Sequence, residues 1–203
     1  MIKELLVGSI MLKNLEKYDI ILASGSPRRR ELLEGLGLDF EIQCLKSIDE
    51  SYPSDLPHNE IAEYISKKKA AAYKQVMLPS QLIITADTVV VSDKGILGKP
   101  KDRQDAINML MTLSGKTHQV ITGVTITAID KQVSFSSTTD VVFDNITTEE
   151  AEFYVDNYNP MDKAGAYGIQ EWIGYVAVKG ISGSYYNVMG LPIQKLYTIL
   201  KGW

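Results

Sequence analysis

A chain of 203 residues with 45% hydrophobic content is long enough for an ordinary core. Its net charge of −4 argues against a protein that wraps nucleic acid. No apolar stretch approaches membrane-spanning length, Glu4 interrupts the basic start that a secretory signal needs, and a single cysteine, Cys44, excludes an internal disulfide. The expectation is one cytoplasmic α/β domain that touches neither membrane nor nucleic acid.

Met1 to Lys17 is a weakly amphipathic lead-in, apolar at Leu5, Leu6, Ile10, Met11, Leu12 and Leu15. Ile20-Ile21-Leu22-Ala23 reads as a buried strand. It runs into Ser24-Gly25-Ser26-Pro27-Arg28-Arg29-Arg30, where Ser26 is a fitting N-cap and Pro27 a fitting first residue for a short helix through Leu36. Cations in the first turn of a helix oppose its dipole at about 0.3–1 kcal/mol each. Three arginines there make sense if a polyanion sits on the turn, and are otherwise a solvated basic run. Asp39 to Leu45 alternates as a strand, with Cys44 expected as a buried structural thiol. Lys46 to His58 is loop-like and carries Asp49-Glu50.

Asn59 is placed to cap a helix over Glu60 to Val76. Gln81 to Ser92 is the most apolar segment and reads as a central strand, with Asp87 in its middle. After a turn at Asp93-Lys94-Gly95 and the stiff Gly98-Lys99-Pro100, Asp102 can cap a helix to Leu113 that Ser114-Gly115 stops. Thr117 to Ile129 and Val133 to Phe143 read as a hairpin turning at Asp130-Lys131-Gln132. Thr147 to Glu150 is a capping box for a helix to about Asn157. A glycine-bearing loop, Asn159 to Gln170, leads to an alternating segment, Trp172 to Ile181, expected as a strand, and a last helix covers Pro192 to Lys201. The pattern predicts a mixed sheet with helices packed on it.

Asp87 is the sharpest chemical signal, because an ionised carboxylate in an apolar strand costs several kcal/mol unless it is paired. It is a metal ligand, a general base for water, or a structural aspartate bonded to backbone N–H groups. Asp49 and Glu50 would add the second carboxylate that a hard divalent cation wants, or are solvated loop acids. Lys69 and Lys99 are either phosphate contacts or surface lysines. His58 and His118 lack metal-ligand spacing. No GxxxxGK[ST], GxGxxG or GxSxG motif is present. An anion-binding helix start, a buried aspartate and scattered lysines suit a metal-assisted phosphoanhydride hydrolase without identifying one.

Leu22-Ala23-Ser24-Gly25-Ser26-Pro27-Arg28-Arg29, Thr85-Ala86-Asp87-Thr88-Val89-Val90, Gly98-Lys99-Pro100, Leu113-Ser114-Gly115-Lys116-Thr117-His118, Asp162-Lys163-Ala164-Gly165-Ala166-Tyr167-Gly168-Ile169-Gln170 and Gly190-Leu191-Pro192 occur in one order. Together they resemble the Maf family of nucleoside triphosphate pyrophosphatases. The resemblance implies one Maf/Ham1 (ITPase)-like α/β domain over residues 18–203 behind an extension of residues 1–17: an elongated mixed β-sheet flanked by helices, with a cleft between two lobes. It implies hydrolysis of a nucleoside triphosphate to the monophosphate and pyrophosphate with Mg²⁺ or Mn²⁺, a house-cleaning role linked to cell-division arrest, and it leaves a homodimer open. It places Asp87 as catalytic acid–base residue and, with Glu50, at the metal. Ser24, Arg28, Arg29, Lys69, Thr88, Lys99 and Gln170 fall at substrate-binding positions, with Arg28, Thr88 and Gln170 linked to substrate choice. The Ala-Tyr-Gly-Ile-Gln loop is similar to the branch that prefers dTTP and UTP. A 7-methyl-GTP or ITP-type pyrophosphatase, or a non-catalytic septum regulator that senses nucleotides, is the alternative.

Overall fold

The computed structural model describes residues 11–203; Leu5, Leu6 and Ile10 of the lead-in lie outside them. The elements follow in chain order as β1 (Asp19–Leu22), α1 (Pro27–Glu34), β2 (Glu41–Ile42), α2 (His58–Lys74), β3 (Gln81–Ser92), β4 (Gly95–Leu97), α3 (Arg103–Leu113), β5 (Thr117–Thr127), β6 (Gln132–Phe143), α4 (Thr148–Tyr158), α5 (Trp172–Ala177), β7 (Val178–Ser182), α6 (Tyr185–Met189) and α7 (Ile193–Lys201). The strands form a seven-stranded mixed sheet in the order β2-β1-β3-β5-β6-β7, with β4 paired to β3. β1 runs parallel to both β2 and β3, so α1 and α2 serve as the crossovers that parallel pairing demands. β3 with β4 and β6 with β7 are antiparallel. Among the described residues no helix is long and apolar enough to cross a membrane.

The chain divides into two compact units. The first holds the residues up to Asp87 together with Thr122–Ser136 and Gly190–Trp203; the second holds Thr88–Ile121 and Ser137–Met189. In the first, α2 buries Ile61, Ala62, Ile65, Ala70 and Tyr73, an apolar stripe at helical spacing. The helix backbone comes down onto β5 at Gly123, where a Cβ would stand 2.2 Å from the Glu63 nitrogen. A buried hydroxyl seam then fixes its register. Thr85 Oγ1 donates to the Ser66 carbonyl at 2.8 Å, and the Ser66 and Thr125 hydroxyls share a bond of 2.8 Å. In the lead-in, Leu12 and Leu15 are buried and Asn14 Nδ2 donates to the Leu200 carbonyl at 2.9 Å.

In the second unit α3 packs against α4. Both helices start as the sequence requires: Asp102 accepts from the Asp105 N–H, and Thr147 and Glu150 complete a reciprocal capping box. His118, Phe143 and Tyr167 make an edge-on aromatic cluster, with His118 Nε2 and Tyr167 Oη 2.7 Å apart.

Four expectations need correction. Trp172 to Ile181 is not one strand but α5 followed by β7. Its buried residues, Ile173 and Ala177, are four apart, which is helical spacing, and the β-prone aromatic and branched residues between them hid it. The strand expected over Asp39 to Leu45 shrinks to Glu41–Ile42, both exposed on the sheet's edge. Cys44 is exposed rather than buried, because it is Leu45 that turns inward, its N–H donating to Tyr73 Oη at 2.9 Å. Finally, α2 starts at His58, two residues earlier than an Asn59 cap implies, with Pro57 in the cap position and no side-chain cap.

Replacing Gly123 with alanine should destabilise the protein by about 1–3 kcal/mol, because the methyl group meets helix backbone that cannot move alone; urea denaturation measures it. Burial holds the His118 pKa at about 4 against an ordinary 6.5. Between those values the unfolded chain binds a proton that the fold refuses. Stability is therefore fully present above pH 6.5 and is lost as pH falls towards 4, by roughly 3 kcal/mol in all. Chemical denaturation across that window should show the slope in the wild type and a flattened slope in His118→Phe.

Candidate active site

The strand-to-helix turn after β1 is built by Ser24. Its buried hydroxyl accepts from the Ser26 N–H at 3.3 Å and from Arg29 Nη1 at 3.4 Å. Ser26 occupies the N-cap position with extended backbone, but its side chain makes none of the expected capping bonds. The three arginines divide. Arg30 points outward and pairs with Glu34 at 2.7 Å, one helical turn on. Arg29 points inward, where Nε donates to the Gly190 carbonyl at 2.8 Å and Nη1 to the Ala86 carbonyl at 2.9 Å. Arg28 is half-buried beside it. Burial lowers the Arg29 pKa, the Asp87 carboxylate opposes that shift, the Arg28 charge adds to it and Glu50 opposes it, so these three charges lie within electrostatic reach of Arg29.

Lys69 stands between the carboxylates. Its Nζ lies 2.8 Å from Asp87 Oδ1 and 3.2 Å from Glu50 Oε1. The Lys69 and Asp87 side chains are 13% and 14% exposed, Glu50 54%. The hydroxyl seam dictates this meeting. Lys69 follows Ser66 by three residues on one face of α2, and Asp87 follows Thr85 by two on one face of β3, so the bond from Thr85 to Ser66 brings the charged pair into register. Asp49, the neighbouring acid, is engaged elsewhere. It accepts from Lys68 at 2.8 Å and from Ser51, and those bonds hold its pKa below the usual carboxylate range.

Ser24, Arg28, Arg29, Glu50, Lys69 and Asp87 thus gather in the first unit. Two carboxylates converging on one cation is a donor set a hard divalent ion accepts. Among the described residues there is no group of three or more His, Cys, Asp or Glu side chains suited to a metal, so an ion held by Glu50 and Asp87 would draw its other ligands from water or phosphate oxygens.

The remaining expected site residues belong to the second unit. Thr88 follows Asp87 on β3 and is half-buried. Lys99 is exposed, in a turn held by a bond from the Gly165 N–H to the Gly98 carbonyl at 3.0 Å. Gln170 ends the glycine-bearing loop. Its Oε1 is buried and accepts no hydrogen bond from the described residues. Sequence reasoning missed the carbonyls of Ala86 and Gly190, which carry no side-chain signature. It also passed over Ser66, whose one trace is a lone hydroxyl on the apolar stripe of α2, and the ion pair between Lys163, inside the loop, and Glu171, which follows it.

Comparison with known proteins shows what the chain is similar to. A family model described as Maf-like protein matches residues 19–203. A relative from Bacteroides thetaiotaomicron named dTTP/UTP pyrophosphatase is 60% identical over 191 residues, spanning 94% of this chain and 99% of its own length. Another of the same name, from Flavobacterium psychrophilum, is 47% identical over 188 residues, 93% of this chain and 96% of its own. Among solved structures, a HAM1 protein from Coxiella burnetii aligns over 92% of this chain and all of its own with a TM-score of 0.46 and 16% identity. On the extent of the family match and the identity of these relatives, the chain belongs to the Maf-like protein family.

Proposed function

We propose that the protein is a nucleoside triphosphate pyrophosphatase that hydrolyses dTTP and UTP to the monophosphate and pyrophosphate, clearing misplaced or modified pyrimidine nucleotides. The observation that carries this reading is the poorly exposed Lys69–Asp87 pair at the end of the buried half of β3, flanked by Glu50 and two arginines. The relatives' shared name supports the substrate choice.

The triphosphate brings several negative charges in one chain of phosphates. Arg28 and Lys69 neutralise part of them, and Lys99 is a further phosphate contact by the resemblance to the family. Arg29 is already tied to two carbonyls, so its task is to hold the turn after β1 against the end of β3 while contributing charge. Asp87 takes a proton from the attacking water as its oxygen bonds to the α-phosphorus. The bond from that phosphorus to the bridging oxygen breaks, and pyrophosphate leaves. Glu50 and Asp87 would hold a divalent metal, Mg²⁺ or Mn²⁺, which when bound supplies charge neutralisation and a more acidic water. Gln170 Oε1, an acceptor without an internal donor, suits the imide N3–H that thymine and uracil share and cytosine lacks.

Asp87→Asn should lower kcat for dTTP and UTP by about 10²–10⁴-fold while nucleotide binding persists, measured as pyrophosphate release beside calorimetric titration. Wild-type turnover in that variant would overturn the assignment of the base. A wild type that binds nucleotides but releases no pyrophosphate would favour a sensing role. Chelation of divalent ions should abolish turnover. Glu50→Gln should raise the Mg²⁺ concentration needed for half-maximal rate, with little change in stability because Glu50 is exposed.

A further inference from the structure

We propose that Lys163, Glu171 and Tyr154 form a buried positioning network that fixes Gln170, and through it sets the preference for uracil and thymine over cytosine; this rests on the reading of Gln170 as the residue that meets the base. The Lys163 side chain is 8% exposed, although an ammonium group is costly to bury unpaired. Its Nζ lies 2.9 Å from Asp162 Oδ1 and 3.2 Å from Glu171 Oε1. Asp162 is half-exposed and Glu171 only 20% exposed, so Glu171 is the interior partner. The other oxygen of Glu171 accepts from Tyr154 Oη, and Tyr154 Oη in turn accepts from the Gly168 N–H at 2.9 Å. The network therefore grips both residue 168 and residue 171.

The backbone between them is held as firmly. The Glu171 N–H donates to the Gly168 carbonyl at 3.0 Å, and the Gly174 N–H to the Glu171 carbonyl at 2.9 Å. A Cβ on Gly168 would stand 2.8 Å from the Glu171 carboxyl carbon, so the carboxylate lies directly on the loop backbone. Upstream, Ala166 adopts a left-handed φ of 59°, a strained conformation for an alanine that only firm surroundings maintain. Gln170 sits inside this clamp with a buried acceptor that the fold itself does not use.

Well-packed apolar side chains in place of a buried ion pair are often neutral or stabilising. An ion pair retained here, one residue from an unused buried acceptor, is better explained by orientation than by stability. Clamped, Gln170 Oε1 offers cytosine an acceptor facing the acceptor N3. Loosened, the amide can rotate and offer its NH₂ instead, which removes the penalty.

The test compares kcat/KM for UTP and CTP in three proteins against the wild type: Tyr154→Phe, the charge-free pair Lys163→Met with Glu171→Met, and Gln170→Ala as reference. We expect both network variants to lower the UTP/CTP ratio by about tenfold or more through a larger KM for UTP, with the thermal midpoint of the Met pair kept or raised. In the Gln170→Ala background, Tyr154→Phe should cause no further loss of the ratio, because it acts through that side chain. A Gln170→Ala variant that keeps the wild-type ratio would overturn the reading of Gln170 at the base. A Gln170→Ala variant that loses the ratio while Tyr154→Phe keeps it would overturn the positioning network alone. Equal losses for both nucleotides in Tyr154→Phe would also overturn it, since they would mark a merely structural role.

Discussion

The register between α2 and the strands beneath it is the constraint on which the charged site depends. Gly123 lets helix backbone touch β5, and the Thr85–Ser66–Thr125 hydroxyls lock the contact at one setting. A hydrophobic interface alone tolerates small slides, since burial is non-directional. A hydrogen bond of 2.8 Å does not. The seam lies one helical turn from Lys69 and one strand repeat from Asp87, so an error in register would be felt first by that pair. Because the seam is neutral, its strength does not fade with added salt as a surface ion pair does.

Around this register the cations take distinct tasks. Arg30 forms an exposed pair with Glu34 of small energetic consequence. Arg29 is a structural bracket, fastening the end of Ala86 and the Gly190 carbonyl. Lys69 balances two carboxylates that would otherwise repel across a poorly solvated space. Neighbours in one basic run, Arg29 and Arg30 thus do different work in space, separated by the 100° that each helical residue turns.

Much of this was legible in the chain. The apolar run of β3 with one aspartate in it, the caps at Asp102 and Thr147 and the Pro27 helix start all follow from local chemistry, and local chemistry is what a sequence displays. The six residues Ser24, Arg28, Arg29, Glu50, Lys69 and Asp87 gather because parallel strands bring the ends of β1 and β3 side by side. What could not be read depends on partners far away in the chain. Arg29 is claimed by backbone carbonyls that every residue carries. Cys44 faces outward because Leu45 finds Tyr73. Trp172 to Ala177 winds into a helix in which Gly174 lies against the Ile169 carbonyl, where a Cβ would stand 1.8 Å away, and six residues are too few to display a helical period against strong β-propensity.

The bond from Asn14 to the Leu200 carbonyl, with Leu12 and Leu15 buried beside it, ties the described part of the lead-in to α7. Segments separated by 186 positions are neighbours. A short flexible tether between these segments would span little distance, and the chain could be reopened at an exposed turn such as Asp93-Lys94 without cutting any strand of the sheet. The order in which the elements are written along the gene is then separable from the order in which they pack.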